Sequence, residues 1–146
     1  MTEPTTPTLE DAIALAVRAH RGQVDKGGMP YILHPLGVML RMRTEIEMLV
    51  AVLHDVIEDT EYTIDTLRRE GYPEEVLVPL DHVTRREGES YEAFTRRAGE
   101  DPVARCVKIA DLEDNMDVRR IAELTDKDLE RMRRYQRAWR MLTAER

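Results

Sequence analysis

Residues Leu49 to Asp59, reading LVAVLHDVIED, place the strongest constraint on how this chain can fold. Apolar residues run almost all round this stretch, from Met48 through Ile57, so no face is left for water and the segment belongs at the centre of a core. Yet it carries His54, Asp55, Glu58 and Asp59. A carboxylate withdrawn from water is costly unless it is paired, hydrogen-bonded or bound to a metal. One imidazole and three carboxylates within six consecutive residues therefore call for a cation. On a continuous helix over 45–60, His54 and Glu58 share a face, as do Asp55 and Asp59.

The remaining punctuation is helical too. Thr8, with Asp11 three residues on, caps a helix that ends near Gly22. Gly27, Gly28, Pro30 and Pro35 make 22–35 mostly loop, and a short amphipathic helix follows over 36–43. Thr63 opens a helix that closes at Gly71, Pro73 starts another to about Thr84, and Ser90 caps a third through Arg97. Asp101-Pro102 begins a helix reaching Met116. Thr125 and Asp128 cap a last one, with Leu129, Met132, Tyr135, Trp139 and Leu142 at three- and four-residue spacing. No run alternates as a strand would. The expectation is an all-α protein of about eight helices, with residues 1–7 a flexible tail and 8–146 one domain.

Two further polar residues interrupt apolar surroundings. Asp111 follows Val107-Lys-Ile-Ala, with Asn115 one turn later, and His34 sits between Pro30 and Pro35 in the expected loop. Imidazole with carboxylate is the donor mix for Mn²⁺, Fe²⁺ or Zn²⁺. Glu113 and Asp114 read as a solvated face, and His20 and His82 as packing, surface or capping residues. From the residues alone, a metal site stands beside an ordinary buried polar network. A formal charge of −7 opposes broad contact with nucleic acid. No apolar window is long enough for a membrane span, and no export signal opens the chain. Cys106 stands alone, which excludes an internal disulfide and fits a reducing, cytoplasmic setting.

Four motifs then coincide in order: Ala19-His20-x-Gly22-Gln23, Gly28-x-Pro30-Tyr31-Ile32-x-His34-Pro35, His54-Asp55-x-x-Glu58-Asp59-Thr60 and Lys108-Ile109-Ala110-Asp111-x-x-x-Asn115-Met116. With them the chain resembles the HD-domain metal-dependent phosphohydrolases, and in particular the hydrolase domain of RelA/SpoT-type alarmone enzymes. The resemblance implies that His34, His54, Asp55 and Asp111 bind one divalent ion, usually Mn²⁺. It implies that Glu58 and Asp59 handle protons and position the attacking water, and that Asn115 contacts the substrate. It also implies a phosphorylated nucleotide as substrate, namely guanosine 3′,5′-bis(diphosphate), hydrolysed at its 3′-diphosphate. The chain's length leaves no room for the family's synthetase and regulatory domains, so hydrolysis alone is expected.

The sequence departs from the alarmone hydrolases around the base. Asp25, Lys26 and Gly27 stand where those enzymes carry Arg-Lys-Ser or Arg-Lys-Asp, Leu112 follows the metal Asp, and Val118 replaces a Thr. Asp25 and Lys26 remain candidate substrate contacts, with Arg18 and Lys108 as further candidate phosphate contacts. A different nucleotide or phosphate ester is the second reading. A non-catalytic, metal-stapled nucleotide-binding module is the third.

Overall fold

Side-chain caps start the helices where the local sequence places them. Thr8 Oγ1 accepts from the Asp11 N–H at 3.1 Å, while Asp11 Oδ2 accepts from the Thr8 N–H at 2.8 Å. Thr44 with Glu47, Thr63 with Thr66, and Thr125 with Asp128 repeat this reciprocal arrangement. Ser90 and Asp101 cap without a return bond, and Pro102 occupies the first turn, where its missing N–H does no harm.

The structure is a computed structural model describing residues 5–144. It is all-α. The helices are α1 (Leu9–Ala19), α2 (Leu33–Leu40), α3 (Glu45–Leu53), α4 (Val56–Asp59), α5 (Ile64–Arg69), α6 (Glu74–His82), α7 (Tyr91–Gly99), α8 (Pro102–Asn115) and α9 (Asp126–Thr143). A 3₁₀ turn covers Val118–Arg120. Among the described residues, β pairing is confined to an isolated bridge between Val24 and Pro30. Of the expected tail, residues 1–4 lie outside the described residues, whereas Thr5 and Pro7 lie close to Gly71, whose φ is +101°.

The central segment is buried as expected: Val50, Ala51, Val52 and Leu53 have no accessible surface. Around α3 pack α1, α2, α6 and α8. Each fully buried Val or Leu stabilises the fold by roughly 1.5–3 kcal/mol, so this helix anchors whatever its C-terminal end carries. A smaller second cluster joins Ile109 and Leu112 of α8 to Ala138 and Leu142 of α9. Among the described residues, no helix is long and apolar enough to cross a membrane.

Three elements depart from the sequence reading. The helix expected over 45–60 breaks between α3 and α4, because His54 Nδ1 donates to the Ala51 carbonyl at 2.5 Å. That carbonyl is the one an uninterrupted helix would offer to the Asp55 N–H. Asp55 takes φ −101°, ψ −5°. Second, α2 begins at Leu33 and takes His34 into its first turn, where Pro35 is tolerated, so His34 is on a helix and not in the loop. Third, Leu129 is 43% exposed, because the start of α9 borders an open cavity through Arg131 and Met132 and no core reaches it.

Candidate metal centre

The break after α3 lets two neighbouring side chains, His54 and Asp55, turn toward the same point, where His34 from α2 and Asp111 from α8 meet them. His34 Nε2 lies 2.9 Å from Asp111 Oδ1 and 3.7 Å from Asp55 Oδ2. His54 Nε2 lies 3.1 Å from Asp55 Oδ2 and 3.4 Å from Asp111 Oδ1. Donor atoms of His34, His54 and Asp111, all buried, fall within 4.8 Å of one another. Despite these short distances, the buried His54 Nε2 has no hydrogen-bond partner. An orphaned buried nitrogen facing two carboxylates is unusual unless another group takes its lone pair. Two imidazoles and two carboxylates also match the donor preferences of Mn²⁺, Fe²⁺ and Zn²⁺. The residues present fit a divalent ion.

The charges in this cluster are interdependent. Burial opposes ionisation of Asp55, but the charge and hydrogen bond of His54, joined by the His34 charge, together bring the carboxyl down to about 2. Burial likewise opposes a charged His34, yet its contacts with Asp111 and Asp114 lift it to about 9. His54 rises well above its ordinary value for the same reason, through Asp55 and Asp111. As arranged, the imidazoles attract protons where a metal ion would bind, so the two compete.

Glu58 and Asp59 lie at the exposed rim on α4. Glu58 Oε1 accepts from the Arg85 N–H at 2.6 Å. Partial loss of water raises both carboxyls, and the negative Asp55 adds to it. Asp59 Oδ2 is 3.7 Å from Nδ1 of the buried His20, whose ring also contacts Gln23 and Tyr31. Of the packing, surface and capping roles open to His20 by sequence, its burial excludes the surface one.

Beside the cluster opens a cavity of about 510 Å³, bordered by Tyr31, His34 and Asn115 and, further out, by Asp25, Lys26, Arg120, Arg131 and Tyr135. Lys26 is exposed on its wall. Asp25 turns back on its own loop, Oδ1 accepting from the Gly27 and Met29 N–H groups at 2.9 Å each. Asn115 borders the cavity while its amide donates to Asp111 Oδ1 at 3.1 Å. Arg18 lines a separate cleft beside Tyr72. Of the departures from the alarmone pattern, Asp25 and Gly27 line the cavity, whereas Leu112 is buried in the second core cluster.

The sequence reading missed three residues at the centre and misplaced a fourth. Tyr31 donates its hydroxyl to Asp55 Oδ2 at 2.6 Å, and burial with that carboxylate pushes the phenol far up. Tyr31 belongs to the Gly28–Pro35 motif, which was the available signal. Lys108, a candidate phosphate contact by sequence, is the misplaced one: it does not line the cavity but is buried, 3.0 Å from Asp111 Oδ2, with its ammonium 4.6 Å from the Phe94 ring centre. Asp114 is not solvated like Glu113; it accepts from His34 Nδ1 at 2.6 Å. Arg120 bonds the same carboxylate at 3.0 Å.

No family model matches the chain. It is 37% identical over 126 residues to a GTP pyrophosphokinase of Streptomyces coelicolor, which covers 77% of this chain and 15% of that protein. It is 31% identical over 121 residues to a guanosine-3′,5′-bis(diphosphate) 3′-pyrophosphohydrolase of Aquifex aeolicus, covering 74% and 17% respectively. The chain thus spans about a sixth of the length of these relatives. A solved structure described as a metazoan ortholog of SpoT that hydrolyzes ppGpp matches with a TM-score of 0.76, covering 97% of this chain and 88% of that one. At 21% identity, that likeness concerns the fold. The chain is accordingly a sequence relative of the RelA/SpoT-type enzymes, with the all-helical fold of an HD-type hydrolase domain.

Proposed function

We propose that residues 8–146 form a hydrolase that removes the 3′-diphosphate of guanosine 3′,5′-bis(diphosphate) or its pentaphosphate analogue. The observation that carries this reading is the convergence of His34, His54, Asp55 and Asp111 beside a cavity with cations on its wall. These four residues would hold one divalent ion, for which Mn²⁺ is our choice and Fe²⁺ or Zn²⁺ fit the same donors. Such an ion, when bound, supplies Lewis-acid charge to phosphoryl oxygens and lowers the pKa of water.

The chain's own residues supply the rest. Tyr31 and Asn115 hold Asp55 and Asp111 in place by donating to one oxygen of each. Glu58 and Asp59, with carboxyls raised above their ordinary values, are suited to take the proton of the attacking water and to pass one to the departing 3′-oxygen. Lys26, Arg120 and Arg131 offer positive charge to the diphosphates. A loose phosphoryl-transfer transition state needs little more than charge and alignment. The lone, exposed Cys106 supports a reducing cytoplasmic setting, where this activity would remove the nucleotide signal of the stringent response.

A panel of 3′-pyrophosphorylated and ordinary nucleotides, incubated with Mn²⁺-loaded protein, tests the reading. Pyrophosphate release is expected from the former, and none from the Asp55→Ala variant, which also loses the ion. Orthophosphate alone would move the activity to another phosphate ester, the reading favoured by the altered 25–27 loop. Metal uptake with no product at all would leave a metal-stapled binding module.

A further inference from the structure

We propose that Asp114 is a positioning residue for His34, locked in place by Arg120; this rests on the divalent-ion reading above. An imidazole can present either nitrogen to a metal, and the choice is set by the bond the other nitrogen makes. The two histidines of the centre are held differently. His54 Nδ1 donates to a backbone carbonyl, that of Ala51, whereas His34 Nδ1 donates to the Asp114 carboxylate at 2.6 Å. A carboxylate partner both fixes the ring and strengthens the opposite nitrogen as a donor. That nitrogen, Nε2, is the one aimed at Asp55 and Asp111.

Asp114 is itself restrained. Its side chain is 14% exposed and faces cations on two sides: Arg120 Nη2 at 3.0 Å from Oδ2, and Arg41 Nη2 at 3.6 Å from Oδ1. Arg120 also bonds the Asp114 backbone carbonyl. The same arginine borders the cavity and lies 4.0 Å from Asp25 Oδ2. Its carbonyl leaves no room for a side chain at Gly27, where a Cβ would fall 2.3 Å away. Arg120 therefore connects the cavity wall to the support of His34.

Calorimetric Mn²⁺ titration of chelator-treated protein, with ¹⁵N spectra of the His34 ring, tests the assignment without any substrate. Asp114→Ala should weaken Mn²⁺ binding by about 10–100-fold. Asp114→Asn, whose amide oxygen still accepts from Nδ1, should lose less and keep the wild-type tautomer. Arg120→Gln should weaken binding severalfold in the wild type and add nothing to Asp114→Ala, because both act through one carboxylate. Mn²⁺ affinity within twofold of wild type in folded Asp114→Ala overturns the proposal and leaves the metal centre standing. So does a wild type loaded with diamagnetic Zn²⁺, which fits the same donors, whose His34 carries its proton on Nε2, a readout that holds even if the alanine variant fails to fold. A wild type that takes up no divalent ion overturns the functional reading itself, and this proposal with it.

Discussion

Lys108→Met isolates the charge of a buried lysine from its bulk. Lys108 Nζ lies 3.0 Å from Asp111 Oδ2, and both residues are buried on α8. Methionine keeps the volume of the side chain, and its sulfur can retain contact with the Phe94 and Tyr91 rings that now surround the ammonium. What disappears is the cation opposite Asp111. Breaking a buried ion pair from one side costs about 3–5 kcal/mol, since the partner charge stays behind. The lower figure applies here, because Asp111 Oδ1 keeps His34 and Asn115. At about 2.1 cal/mol/K of unfolding entropy per residue, a loss of about 3 kcal/mol lowers the Tm by roughly 10 °C for a chain of this length. Scanning calorimetry of chelator-treated wild type and variant reads this directly, and the deficit should persist in high salt because the pair is shielded from solvent. A Tm difference under about 2 °C would refute the argument, as would one that salt abolishes.

Four further outcomes are expected. Glu58→Gln and Asp59→Asn should each keep Mn²⁺ affinity but lower kcat by about 10²–10⁴-fold, measured by pyrophosphate release alongside metal titration. His34 is raised to about 9 by its contacts with Asp111 and Asp114, against burial. Its contribution to stability, roughly 2–3 kcal/mol, is complete below about 6.5 and lost as pH rises through 9, so the Tm of chelator-treated protein should fall across that window. Apparent Mn²⁺ affinity should rise over the same range, because uptake displaces a proton; a flat affinity between pH 6.5 and 9 would contradict the assignment. Gly27→Ala should impair nucleotide binding more than metal binding, because a Cβ there meets the Arg120 carbonyl at 2.3 Å and the loop along the cavity must shift. Equilibrium dialysis with each ligand compares the two losses.

What the sequence made legible was local or strongly patterned. Thr8 with Asp11 and Thr125 with Asp128 announce their helices because each cap is completed within four residues. The apolar run before His54 announces burial because no other disposition of it is stable. Spatial relations between distant stretches were not legible. Asp114 and Glu113 are neighbours of the same charge, and only the approach of His34, 80 positions away, distinguishes them. Lys108 resembles a surface cation until α7 lays Phe94 over it. The interruption at His54 was hidden for another reason: the apolar pattern runs straight through it, and it takes one imidazole bonding to a carbonyl three residues back to end α3.

That interruption ties assembly of the site to completion of the fold. His34 and Asp111 are 77 positions apart and touch only when α2 and α8 have both docked on α3. On the proposed reading, a nascent or damaged chain offers scattered donors with little hold on any ion, and tight uptake of a divalent ion becomes a test of maturity: a population of molecules counted by the ion it retains is a population counted by how many have finished folding.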